Sequence, residues 1–142
     1  MKPRELSEEE CGSLLSSARV GHLGLSLGDS PYVIPISYVF DSGKILLHSR
    51  GDGKKLEMAH ANPMVCFQVD SMDGGRWRSV VVQGRASLFD DIDAKRRMFD
   101  AFTSSGMAGH AGKAFRSEDL DRMEMTVWEI ELLEVTGREG IW

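Results

Sequence analysis

Three runs of alternating apolar residues, joined by connections too short for a helix, fill residues 19–49 and constrain the fold class. Arg19 to Leu27 places Gly21, Leu23, Leu25 and Leu27 on one parity and Val20, His22 and Gly24 on the other, the period of a half-buried strand. Gly28-Asp29-Ser30-Pro31 is a turn, Tyr32 to Phe40 a second β-rich run, Asp41-Ser42-Gly43 another tight turn, and Lys44 to Ser49 a third run. Parallel neighbours need a crossover of a dozen or more residues, so strands spaced this closely form an antiparallel meander. Pro35 inside the second run requires a bulge or an N–H position that no neighbour uses. Either device frees backbone groups for a ligand.

The flanking sequence adds helices and three more strands. Ser7 and Glu10 fit a capping box that opens a helix through about Ala18. A second helix starts at Lys54-Lys55 and stops at Asn62-Pro63, and Met64 to Asp70 is a fourth strand. Ser71 to Arg76 reads as a loop. Trp77 to Phe89 is a long fifth strand, with Val80, Val82, Ala86 and Leu88 facing one way and Trp77, Ser79, Val81, Gln83 and Arg85 the other. Asp90 or Asp91 caps a helix through about Thr103, Ser104 to Gly112 is a Gly/Ser loop, and a helical turn near Ser117–Met123 precedes a last strand, Met125 to Thr136. The prediction is a mainly β chain with helices (α+β), folded as one six-stranded antiparallel barrel whose closure removes exposed edges. A length of 142 residues suits a single domain, 1–142.

Composition excludes several functions. A net charge of −5 argues against a nucleic-acid binder, which needs a basic face. The basic triplet Lys95-Arg96-Arg97 lies among Asp91, Asp93 and Asp100 and reads as a solvated helix face. No apolar run approaches the length of a membrane span, and the start MKPRELSEEE lacks an apolar signal core. The expectation is a cytoplasmic protein that keeps Cys11 and Cys66 as reduced thiols, Cys66 as a small buried hydrophobe. His22, His60 and His110 show no metal-ligand spacing, so no metal is expected.

The segment Lys44 to Pro63, KILLHSRGDGKKLEMAHANP, is where the chemistry concentrates. A short strand ends in His48 and Ser49, a glycine-broken turn follows, and a helix opens on Lys54 and Lys55. Free N–H groups at a helix start and the helix dipole favour an anion, and two ammonium groups add to that preference. Lysines there oppose the dipole unless an anion compensates them, a local inconsistency of the kind found at functional sites. The other reading is a pair of solvated lysines at an ordinary turn. The segment matches neither the Walker A pattern nor the three-glycine dinucleotide fingerprint.

In order and spacing, PYVIPISYVFDSGKILLHS, RGDGKKLEMAHANPMVCFQVD, WRSVVVQGRASL and VWEIELLEVTGREG resemble the flavin-binding split-barrel proteins related to pyridoxamine 5′-phosphate oxidase. The likeness runs from about Ala18 to Gly140 and is strongest to a small bacterial branch that includes nitroimidazole-reductase-like proteins. It implies a split β-barrel that binds flavin mononucleotide (FMN) and works as a homodimer with each flavin between two subunits. Lys54 and Lys55 match the basic pair at the cofactor phosphate, and Ser49 matches a hydroxyl residue at the strand end. His48 matches a position close to the flavin, with a hydrogen-bonded strand residue as its alternative role. Ile34, Pro35, Ile36, Ser37 and Tyr38 match the strand whose backbone runs along the ring edge, and Ser79 matches a polar ring contact. Strand periodicity adds Gln83, on the same face as Ser79. The partner subunit's wall is expected from the Ser104–Gly112 loop or a flexible Gly137–Trp142 tail. The sequence lacks the Arg-Leu-His motif with which the oxidase holds its substrate's phosphate, so oxidation of pyridoxamine phosphate is not expected. The resemblance thus implies an FMN-dependent oxidoreductase acting on a small molecule. Its alternative is a carrier or sensor binding flavin, deazaflavin or haem without turnover.

Overall fold

The computed structural model describes residues 2–106 and 117–142. In chain order its elements are β1 (Arg4–Glu5), α1 (Glu8–Ser17), β2 (Val20–Leu27), β3 (Ser30–Ser37), β4 (Val39–Asp41), β5 (Lys44–Ser49), α2 (Lys54–Ala61), β6 (Met64–Asp73), β7 (Arg76–Phe89), α3 (Ile92–Ser104), α4 (Ser117–Arg122) and β8 (Thr126–Ile141). The pairing is antiparallel throughout, in the order β3-β2-β6-β7-β8-β5-β4, with β1 on β8. The expected six strands become eight for two reasons. The predicted second strand is parted at Tyr38 into β3 and β4, and the two-residue β1 joins the far half of β8.

That parting makes the barrel a split one. β3 pairs with β2 at one end of the sheet and β4 pairs with β5 at the other, so one run of chain joins both edges. Among the described residues hydrogen bonds do not close the ring, contrary to the full closure expected, because the run changes neighbours at Tyr38. That residue is held from three sides. Its N–H donates to Arg19 C=O (3.2 Å), its hydroxyl donates to Leu15 C=O (2.6 Å), and its ring meets Phe67 edge-on at 4.9 Å. An aromatic pair of this geometry contributes roughly 0.5–1.5 kcal/mol beyond its burial.

The inward parities, including Leu23, Leu25, Val80, Val82 and Ile130, form one apolar core. Helix α1 adds Cys11, Leu14 and Leu15, and α2 adds Leu56, Met58 and Ala59. The capping box forms: Ser7 Oγ accepts from Glu10 N–H (3.2 Å) and Glu10 Oε1 accepts from Ser7 N–H (3.0 Å). Asp91, not Asp90, caps α3 through Ala94 N–H (3.2 Å). A second core lies where Met98, Phe99 and Phe102 of α3 meet Val39, Leu46 and Val127 of the sheet.

Three local expectations are corrected. Residues 71–76 are a tight hairpin rather than a loop: Asp73 pairs with Arg76 across Gly74 and Gly75, whose φ values of 56° and 85° suit the turn that matches strand twist. The last strand runs on past Thr136, so Gly137–Trp142 is no loose tail. Ile141 pairs with Arg76, and Trp142 N–H donates to Gly75 C=O (2.9 Å). Lys95 is not solvated but buried, because α4 packs over it; its ammonium donates to the carbonyls of Leu120 (3.1 Å) and Met123 (2.8 Å) at the α4 C-terminus. Arg97, beside it, pairs with Glu129 (3.0 Å).

Glu139 ties β1, β7 and β8 together. Its carboxylate accepts from Arg4 Nη2 (2.8 Å) and Arg78 Nε (2.9 Å), with Arg76 at 3.4 Å. Hydrogen bonds from Arg4 and then Arg78 hold its pKa down at about 2, against an ordinary value of 4.5. A carboxyl whose pKa is lower in the fold stabilises fully above 4.5 and loses that contribution as pH falls through about 2. Glu139→Gln should therefore flatten the acid limb of the stability curve between pH 4.5 and 2, read as thermal midpoints against pH. An unchanged acid limb would contradict this assignment.

Candidate functional site

Helix α2 begins without a cap. Gly53 occupies the N-cap at φ 110°, a conformation open to glycine, and has no side chain to offer. The first bond of the helix runs from Glu57 N–H to Gly53 C=O (3.1 Å), leaving the N–H groups of Lys54, Lys55 and Leu56 without helical partners. Among the described residues neither Lys54 nor Lys55 has an ion-pair partner. The Lys54 ammonium sits 5.1 Å from the centroid of the Tyr32 ring.

Tyr32 turns its ring to the core side with Leu25, and its strand β3 also borders a cavity of about 460 Å³, within the usual range for small-molecule sites. Register explains its floor. Val33, Gly24, Cys66 and Gln83 form one row across β3, β2, β6 and β7 on the face away from the core. Gly24 presents no side chain to fill the space, and Met64 adds to the wall. Cys66 is half-buried rather than fully buried, because it faces this cavity; burial pushes its thiol pKa up, so it stays protonated near neutral pH.

The outer edge of β3 is unpaired among the described residues. Tyr38 N–H bonds Arg19, so the even-numbered residues of this run point their backbone groups at β2 and the odd-numbered ones point outward. Pro35 therefore costs no sheet hydrogen bond and needs no bulge, and the β2–β3 register is unbroken. Within 34–38 the outward groups are the carbonyls of Pro35 and Ser37 and the N–H of Ser37. Ile34, Ile36 and Tyr38 turn their side chains to the core and their backbone to β2.

Of the remaining expected site residues, Gln83 lines the cavity. Ser79 lies on the same strand face, four residues or about 13 Å away, and accepts from Gln68 Nε2 (3.0 Å). Gln68 also bonds His22 Nδ1 (3.0 Å) and Asp70 (2.9 Å), so a polar patch continues the floor. Ser49 is buried and engaged inside the protein: its Oγ accepts from Trp128 Nε1 (2.9 Å) and donates to Arg50 C=O (3.0 Å). His48 is exposed beside Phe102 of α3, with ring centroids 6.2 Å apart, and does not line the cavity. The stretch 107–112 of the expected partner-facing loop, and His110 with it, lie outside the described residues. Trp142 is 84% exposed, its Nε1–H on Met72 Sδ (3.0 Å).

Sequence reasoning missed Tyr32, Gly24, Val33 and Met64, since their meeting depends on pairing register. The arrangement suits an elongated ligand with an anion at one end and a flat, partly apolar body. Uncompensated lysines and free N–H groups answer the first, and the cavity and the free strand edge answer the second.

Residues 7–139 match the sequence profile of a family described as pyridoxamine 5′-phosphate oxidase. An uncharacterized protein of Rhizobium meliloti (strain 1021) is 32% identical over 83 residues, 58% of this chain; the match spans only 54% of that relative. Among solved structures, an FAD-binding protein of Mesorhizobium loti is 32% identical with a TM-score of 0.80, covering 99% of both chains. A candidate 5-nitroimidazole antibiotic resistance protein of Bacteroides thetaiotaomicron shares the fold at a TM-score of 0.83 and 20% identity, covering 97% of this chain and 87% of its own.

Proposed function

Because the chain belongs to the pyridoxamine 5′-phosphate oxidase family, we propose that it is a cytoplasmic, homodimeric flavoprotein that binds FMN and reduces a small molecule. The observation that carries this reading is a pair of uncompensated lysines at an uncapped helix start, one of them over the Tyr32 ring of β3, the strand that also borders an open cavity. Lys54 and Lys55 hold the phosphate. The free edge of β3 and the row ending in Gln83 hold the ring, with Ser79 as a polar contact further along the floor. A bound flavin supplies the hydride and electron chemistry, while the chain orients it and excludes water from one face. Nitroaromatics are the first acceptor class to test.

Exposed Val33, Met64 and Val20 lie on the same outer sheet face as the cavity, and a second copy seated there would cover the ring. In light scattering the flavin should travel with the mass of two chains, and in stopped flow a reduced nicotinamide should bleach it and a nitroaromatic restore it. A flavin-loaded monomer would contradict the shared site. A flavin spectrum inert to donor and acceptor would favour the carrier reading, which the cavity also permits, since among the described residues Cys66 and Tyr32 are the only titratable groups of its lining.

A further inference from the structure

We propose that Tyr32 is a positioning residue that gives the site its preference for a phosphorylated ligand, acting through Lys54; this rests on the flavin reading above. Lysine at a helix N-terminus is repelled by the dipole and loses side-chain entropy when fixed, so some group must hold it. A carboxylate would hold it by neutralising it. An aromatic face attracts the ammonium through its quadrupole and leaves the charge available to an anion.

Tyr32 has the properties that this role requires. It is half-buried, packs against the barrel core, and pairs with Leu25 across the β2–β3 hairpin, so its ring is fixed by the sheet. Lys54 Nζ stands over that ring at 5.1 Å, on the core side of the strand whose other face borders the cavity. As a plain packing residue of β3 it would affect a flavin with or without phosphate equally; as a support for Lys54 it affects the phosphorylated form alone.

The test is the ratio of FMN to riboflavin affinity, measured by quenching of flavin fluorescence on flavin-free protein. Tyr32→Leu should lower that ratio about two- to fivefold, and Tyr32→Phe, which keeps a ring face, should leave it near the wild-type value. In a Lys54→Ala background Tyr32→Leu should leave the ratio unchanged, which is the coupling expected of residues that act as a unit. Should Tyr32→Leu fail to fold, Tyr32→Trp carries the test, because indole is the strongest cation binder and should raise the ratio. Equal losses for both flavins in Tyr32→Leu, or a Tyr32→Trp ratio no higher than wild type, would overturn the inference and leave the flavin site standing. A wild-type chain that binds neither flavin would overturn the flavin reading and this inference with it.

Discussion

Replacing Lys54 and Lys55 together by alanine should lower FMN affinity by about two to four orders of magnitude. Each lysine offers a charge-assisted contact of roughly 1.5–3 kcal/mol, and 1.4 kcal/mol corresponds to a tenfold change. Stability should hold or rise slightly. Alanine is the better helix former, the two charges oppose the dipole where they stand, and neither has an ion-pair partner among the described residues. Riboflavin, lacking the phosphate, should bind both proteins about equally. A double variant that retains its FMN affinity, or that unfolds, would make the lysines structural and move the anion site elsewhere.

Trp128→Ala should cost about 3–5 kcal/mol of stability in urea unfolding, a large share of the 5–15 kcal/mol typical of a domain. The side chain is fully buried in the main core, and its Nε1–H is hydrogen-bonded to Ser49. Ser49→Ala should cost about 1–3 kcal/mol with no ligand present, because it leaves that buried N–H without its acceptor. The pair thus assigns Ser49 a role in the barrel itself. A Ser49→Ala protein that is unchanged in stability and weakened only toward FMN would restore the ligand-contact role that the family resemblance implies.

What was legible in the sequence was mostly local. The Ser7–Glu10 capping box, the helix start after Gly53 and the alternation of β2 and β7 depend on residues a few positions apart. Side-chain parity also put Gln83 on the face that lines the cavity. What depends on partners distant in sequence was not legible. Lys95 reads as solvated until α4 is placed over it, and Cys66 reads as core until register shows it facing the cavity opposite Gly24. The C-terminal segment reads as a tail because its glycines weaken the strand pattern. Gly140 is in fact required: a Cβ there would lie 2.5 Å from the Trp77 ring. Tyr32 carried no signal of its own, since nothing in the β3 sequence announces a lysine from α2 above its ring.

The most direct test of the flavin assignment is a mass spectrum of the small molecule released from the natively purified protein. FMN, in proportion of one per chain, is the result that this account predicts. Release of FAD, a deazaflavin or haem would contradict the cofactor assigned to the Lys54–Lys55 site, and a protein that releases no flavin and takes up no added FMN would contradict the site itself.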